Sequence, residues 1–276
     1  MSLFVASLNS GSNGNCYYLG NGDDHILIDG GISCRETEKR LKRLGLTLKK
    51  IKAVFITHEH GDHIHGVTSI SKKYKIPVYI TTPTLQNGRV ELREELTSTF
   101  RPYVPVSIGS LSITGFPKFH DASDPHSFIV ECNGVKVGVF TDIGMACDHV
   151  TSNFKQCHAA FLESNYDIDM LTRGSYPWAL KQRIRGGKGH LSNEQAMQLV
   201  LDHKPSFMTH LFLSHLSQDN NSPKLVKSIF EKIAGSTEVI IAGRRKETKL
   251  YHIRANVSRP RFAQAPAVSF QQLSMF

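Results

Sequence analysis

The sequence has no apolar run approaching the roughly 20 residues that a membrane-spanning helix needs, so a membrane span is not expected. Cysteine is scarce and unpatterned: Cys16, Cys34, Cys132, Cys147 and Cys157 are odd in number, and no two have C-x-x-C spacing. That argues against a disulfide framework and against a cysteine-rich structural zinc site, and a reducing cytoplasm is the expected compartment. The opening Met1-Ser2-Leu3-Phe4-Val5 has no basic segment leading into a long apolar stretch, so no secretory leader is expected. Acidic residues are outnumbered, 24 against 33 Lys and Arg, for a net charge of +9. Such an excess suits polyanionic partners, nucleic acid first, although a merely soluble basic protein has the same arithmetic.

What is present is ordinary in bulk and unusual in one residue. The chain has 276 residues, 40% hydrophobic and 21% charged, which excludes a disordered or collagen-like protein and is long enough to bury a full core. Histidine is abundant, at 14, and several are clustered. Short apolar runs over residues 25–28, 53–57, 77–80, 111–114, 135–140, 159–162 and 211–214 read as buried strands. Each leads into a polar residue, among them Asp29, His58, His120, Asp142, Glu163 and His215. Helices are expected over residues 35–45, where Gly45 suits a C-cap, and after the capping-box run Ser192-Asn193-Glu194-Gln195. A third amphipathic helix is expected over 223–234. Strands alternating with helices indicate an α/β layered domain.

The strongest local signal is His58-Glu59-His60-Gly61-Asp62-His63, directly after a strand. A regular helix could not aim all four candidate ligands one way, but a strand-to-helix turn can. Neutral imidazole and carboxylate suit borderline and hard divalent metals. Four such groups exceed what one ion with bound water needs, so two ions are expected.

This motif resembles the signature of the metallo-β-lactamase superfamily, and the rest of that pattern follows in order: Asp29, His120, Asp142 and His215, each after a strand. The resemblance covers about residues 3–253. It implies a four-layer αβ/βα sandwich of two mixed sheets flanked by helices. It implies that His58, His60 and His120 hold one ion, that Asp62, His63 and His215 hold the other, and that Asp142 bridges them. Asp29 would orient the histidine loop from behind. The cofactors would be two divalent metal ions, zinc or manganese. Further runs narrow the match: residues 10–16, 120–125, 163–167, Tyr176-Pro177-Trp178, 189–194 and 215–221 are similar to the bacterial YycJ/WalJ-type branch. Members of that branch are regarded as DNA nucleases with 5′-to-3′ exonuclease activity. A DNA exonuclease of replication or repair is therefore the leading expectation.

Asp62, His190 and Glu163 are the catalytic candidates. Phosphodiesterase members such as the tRNA 3′ processing nucleases carry a similar Glu and His, which implies that His190 meets the scissile phosphate or protonates the leaving oxygen while Glu163 orients it. A carboxylate partner keeps a proton on an imidazole near neutral pH. Between them Arg173, Lys181, Arg183, Arg185 and Lys188 interleave with Tyr176 and Trp178, the only tryptophan. Cations neutralise phosphates and aromatic faces stack on unpaired bases, so these seven are nucleic-acid-contact candidates; a basic helix with Trp178 in the core is the plainer reading. Arg244-Arg245-Lys246 reads as a solvated turn. Residues 10–15 could offer backbone N–H groups to a phosphate, or form a plain tight turn.

The division expected is a catalytic domain over residues 1–254 and a flexible tail over 255–276. The last five residues, with Gln272, Leu273, Met275 and Phe276 as contact residues, look like the peptide by which bacterial DNA polymerases and repair proteins dock on the sliding clamp. An RNA-processing nuclease, a small phosphodiesterase or thioesterase, and a non-catalytic regulator are the alternatives to a DNA-directed enzyme.

Overall fold

Two seven-stranded mixed sheets face each other, and helices cover their outer surfaces. The computed structural model describes residues 2–255. The tail and the clamp-like residues Gln272, Leu273, Met275 and Phe276 lie outside the described residues. Among the described residues, no helix is long and apolar enough to cross a membrane.

The first sheet contains β1 (Leu3–Asn9), β2 (Cys16–Gly20), β3 (His25–Ile28), β4 (Ile51–Phe55), β5 (Val78–Tyr79) and β6 (Thr97–Ser98). The second contains β7 (Val106–Ile108), β8 (Leu111–Pro117), β9 (His126–Cys132), β10 (Val135–Phe140), β11 (Ala159–Glu163), β12 (His210–Ser214) and β13 (Glu238–Ile241). The chain then returns to the first sheet as β14 (Tyr251–Ile253), which pairs antiparallel with β1. Strand order is β14-β1-β2-β3-β4-β5-β6 in one sheet and β13-β12-β11-β10-β9-β8-β7 in the other. The segments β3 to β6 and β10 to β13 are parallel, and their C-terminal ends carry the chemistry.

Alternation along each strand builds three cores. Tyr17, Ile26, Ile28 and Phe55 of the first sheet meet Phe128, Val139, Phe161 and Phe212 of the second in the central layer. Tyr18, Leu27 and Val54 face outward against α1 (Cys34–Arg43) and α3 (Val67–Tyr74), through Leu41, Val67 and Ile70. On the other outside, Phe140, Leu162 and Leu211 pack on α5 (Asp148–Phe154), α8 (Asn193–His203) and α9 (Pro223–Phe230). Between them α2 (Gly61–Ile64), α4 (Thr82–Asn87), α6 (Ile168–Arg173) and α7 (Trp178–Arg185) complete the helices.

Local signals account for several boundaries. Ser33 caps α1 by accepting from the Glu36 amide, and Gly45 follows it in the left-handed region at φ 73°. The capping box expected at Ser192 and Gln195 is formed at the start of α8. The third expected helix is shorter than 223–234 and ends at Phe230. The strands β2, β6, β7, β9, β13 and β14 lie outside the expected set, and so do α3, α4, α5 and α6. The β9 run His126-Ser127-Phe128-Ile129-Val130-Glu131-Cys132 is buried on both faces, so it lacks the alternation that marks a half-buried strand.

Phe161 and Phe212 stack at 4.4 Å between ring centroids in the central layer. Phe161→Ala should lower the unfolding free energy by about 3–5 kcal/mol, read by urea denaturation. A loss below about 1 kcal/mol would show that this layer repacks freely.

Candidate metal centre and active site

The site is built where strands stop. After β3 the chain turns at Asp29, after β10 at Asp142, and after β12 at His215. All three hold left-handed backbone, at φ 61°, 55° and 55°. For residues other than glycine this costs of order 1–3 kcal/mol each, so surrounding contacts must hold them there. At Asp142 one such contact is buried Lys118, whose Nζ donates to the preceding Thr141 carbonyl at 2.6 Å.

The turn from β4 into α2 carries His58, His60, Asp62 and His63, as the strand-to-helix reading requires. Its backbone is pinned to the Asp29 turn. Gly30 N donates to His63 O at 2.8 Å, and Gly66 N donates to Gly30 O at 2.7 Å. Gly31 lies so close that a Cβ there would sit 1.7 Å from the Asp62 carbonyl, so this position requires glycine.

Side chains behind the turn fix which ring nitrogens face inward. His63 Nδ1 donates to Asp29 Oδ2 at 2.7 Å. Thr57 donates its amide to Asp29 Oδ1 at 2.9 Å and its hydroxyl to Oδ2 at 2.9 Å, and the same hydroxyl accepts from His58 Nδ1 at 2.9 Å. His120 Nδ1 donates to Gly189 O at 3.1 Å, and His215 Nδ1 donates to Glu163 Oε1 at 2.9 Å. With Nδ1 engaged in each, the Nε2 atoms of His58, His63, His120 and His215 converge.

Those atoms form overlapping groups able to hold divalent ions. His58 Nε2 lies 3.2 Å from His60 Nδ1, which lies 3.3 Å from His120 Nε2. His63 Nε2 and His215 Nε2 are each 3.5 Å from Asp62 Oδ2. Asp142 touches both sets, with Oδ2 3.1 Å from His63 Nε2 and Oδ1 3.9 Å from His120 Nε2. Asp142 Oδ2 and His215 Nε2 are buried, and neither makes a well-formed hydrogen bond. Each buried polar atom left without a partner costs about 1–3 kcal/mol. Divalent cations would satisfy all of them, so the residues fit a dinuclear centre.

Protonation energetics separate the two groups. Burial pushes His58 well below the usual imidazole range and His120 down to about 4. Burial also disfavours the charged form of His63, yet the Asp142, Asp29 and Asp62 carboxylates outweigh it and hold His63 at about 10. His215 is likewise raised against burial, by Asp142, Asp62 and Glu163.

Glu163 is fully buried at the end of β11, and its Oε1 accepts from two rings at once, His215 Nδ1 at 2.9 Å and His190 Nδ1 at 2.8 Å. Its Oε2 takes the amides of Ile143 and Leu191 at 2.7 and 3.2 Å. Burial opposes the carboxylate, but His190 and His215 hold its pKa at about 2. The sequence suggests the His190 contact; the His215 contact is new.

The loop over residues 10–15 forms a tight turn whose Ser10, Gly11, Gly14 and Asn15 amides are all bonded within the protein, while Ser12 lines the cleft that contains His190. The amides of Ser10, Gly11, Gly14 and Asn15 go to Gly243 O, Asn15 Oδ1, Gly11 O and Asp62 O. Its side chains matter too. Asn15 Nδ2 donates to Asp62 Oδ2 at 3.1 Å, and Ser10 Oγ accepts the His215 amide at 2.8 Å. Sequence reasoning misses Ser10, Asn15, Thr57 and Lys118 as supports, because single polar residues carry no spacing signal.

The seven nucleic-acid-contact candidates divide. Tyr176 and Arg183 line a cleft of about 180 Å³ together with His190 and His215. Arg183 Nε pairs with Asp121, and Tyr176 OH donates to Asp219 at 2.9 Å. Lys181 Nζ and Arg185 are tied to Thr172, while Arg173 and Lys188 are exposed. Trp178 is 76% exposed at the start of α7, which excludes the core reading.

Two facing mixed sheets with a buried imidazole–carboxylate cluster at their strand ends define a metal-dependent hydrolase. The chain belongs to the metallo-β-lactamase superfamily: residues 24–215 match the family described as "Beta-lactamase superfamily domain". It is 33% identical over 231 residues to exodeoxyribonuclease YycJ of Bacillus anthracis, covering 82% of this chain and 87% of that one. It is 31% identical over 225 residues to exodeoxyribonuclease WalJ of Streptococcus pneumoniae, covering 79% and 83%. Among solved structures, the metallo-β-lactamase fold protein YhfI from Bacillus subtilis has the same fold, with a TM-score of 0.71 at 17% identity, over 91% of this chain and 100% of that chain.

Asp29→Asn should weaken metal retention about 10–100-fold, because an amide cannot accept from both His63 and Thr57 as the carboxylate does. Chelator competition with metal analysis reads this directly. Unchanged retention would remove Asp29 from the support of the centre. Removing metal from the wild-type protein should lower Tm, since the ions stabilise only the folded chain.

Proposed function

We propose that this protein is a dinuclear-metal nuclease that hydrolyses phosphodiester bonds of DNA, as a 5′-to-3′ exonuclease. In this reading His58, His60 and His120 hold one divalent ion, zinc or manganese. Asp62, His63 and His215 hold the second, and Asp142 is shared. Divalent ions at such a centre supply Lewis acidity and lower the pKa of water, which makes a nucleophile available at neutral pH.

The observation that carries a phosphodiester substrate is the Glu163–His190 pair. Glu163 Oε1 accepts a hydrogen bond from His190 Nδ1 at 2.8 Å, while His190 lines the cleft beside the cluster. The opposite ring nitrogen, Nε2, is then free to donate to an alkoxide leaving group. The buried carboxylate fixes the direction of the ring. Arg183, on the same cleft, supplies positive charge for the phosphate. The DNA assignment is supported by the relatives named as exodeoxyribonucleases over most of both chains.

The test is digestion of 5′-labelled single- and double-stranded DNA beside matched RNA, with Asp62→Ala and His190→Ala in parallel. Asp62→Ala should lose metal and activity together. His190→Ala should keep its metal and lose about 10²–10⁴-fold in rate on DNA. It should keep most of its rate on bis(p-nitrophenyl) phosphate, whose leaving group needs no proton. Cleavage of RNA alone would move the protein to the RNA-processing nucleases, and cleavage of neither polymer would overturn the nuclease reading.

A further inference from the structure

A second cavity adjoins the cleft on the His215 side. It measures about 500 Å³ and shares Leu216 and Ser217 with the cleft that contains His190. Its walls are chemically divided. Leu216, Pro223, Ile241 and Ala242 give an apolar side, and Arg244, Arg245 and Lys246 line the other, beside Glu247, whose carboxylate is paired with Arg43. Ser10 also lines it, one hydrogen bond of 2.8 Å from the His215 amide.

The sequence reads these three cations as a solvated turn. They do turn, but the turn is fixed and Arg244 is half-buried. Arg244 donates to Leu216 O at 2.8 Å and to Gln218 Oε1 at 3.2 Å, both uncharged acceptors. The turn's backbone is held from two sides. Asn13 Nδ2 donates to Arg244 O at 2.9 Å, and buried Arg40 of α1 donates to Arg245 O at 3.3 Å. Arg245 and Lys246 are exposed, and neither makes an ion pair with a carboxylate among the described residues. The result is a rigid rim of three positive charges over an apolar hollow.

A nucleoside unit has this duality: a flat base that prefers an apolar wall, on a phosphate that needs cations. Continuity with the catalytic cleft through Leu216 and Ser217 places such a unit along the strand from the scissile bond. We propose that this cavity is a nucleotide subsite, which takes the base of a nucleotide flanking the cleavage point and holds its phosphates on Arg244, Arg245 and Lys246. The proposal rests on the nuclease reading and adds the part of the substrate that lies beyond the scissile phosphate.

Two variants test it without touching the metal ligands. Arg245→Ala/Lys246→Ala removes exposed charge. Gly243→Phe projects a side chain from a cavity-lining position where a Cβ would have only Lys246 O within 4 Å, at 3.8 Å. KM and kcat would be measured on single-stranded DNA and on bis(p-nitrophenyl) phosphate. Binding would be followed by anisotropy of a labelled, phosphorothioate-linked oligodeoxynucleotide across a salt series. Both variants should raise KM for DNA about tenfold or more and leave kcat/KM on the small diester unchanged. The charge variant should also flatten the salt dependence, by about 0.7 in log–log slope for each phosphate it no longer neutralises. DNA parameters equal to wild type in both variants would overturn the subsite while leaving the nuclease reading intact. An equal loss on both substrates would also overturn it, since it would mean the variants disturb the centre itself. Failure of wild-type protein to bind or cleave DNA would overturn both readings.

Discussion

The Asp29 carboxylate is the constraint around which the first half of the site is arranged. It is fully buried, sits on left-handed backbone, and accepts from His63, the Thr57 amide and the Thr57 hydroxyl. Through Thr57 it also sets the tautomer of His58. One carboxylate therefore decides the direction of two inward nitrogens and anchors the end of β4 to the end of β3. A buried charge is tolerated only when its acceptors are filled, and here they are filled by the groups that must be aimed.

The second sheet solves the same problem with Glu163. It too is buried at a strand end, and it too fixes a ring whose other nitrogen faces the centre, His215. The parallel strands deliver these residues to one edge, since parallel neighbours end on the same side. Asp142, between the two sets, follows β10 of the second sheet and reaches His63 of the first. The facing sheets are thus joined at their rim by buried carboxylates and imidazoles, which divalent cations would hold together. The apolar central layer supplies the stability that offsets the local cost of burying them.

Much of this is legible in the sequence because it is short-range. His58 to His63 share one turn, and residues that end apolar runs land at strand ends whichever sheet they enter. Asp29, Asp142, Glu163 and His215 are placed that way, and the capping box at Ser192 needs only four residues. What stays hidden is long-range. Asn15 reaches Asp62 across 47 positions, and Arg40 reaches the 245 carbonyl across 205. Arg244-Arg245-Lys246 looks like any solvated turn, because nothing local says that Leu216 and Ile241 lie beside it. The resemblance to a superfamily supplies the pairing of distant ligands; periodicity cannot.

The double contact of Glu163 alters how the active site can be dissected. Its Oε1 serves His190, the proposed proton donor, and His215, a proposed metal ligand, at distances that differ by 0.1 Å (2.8 and 2.9 Å). A carboxylate oxygen has two lone pairs, so it accepts from both rings at once. The proposed metal ligand and the proposed proton donor thus share one carboxylate atom, and removal of Glu163 would disturb both. Only His190 itself, which has no place among the proposed ligands, separates the chemistry of the leaving group from the integrity of the centre.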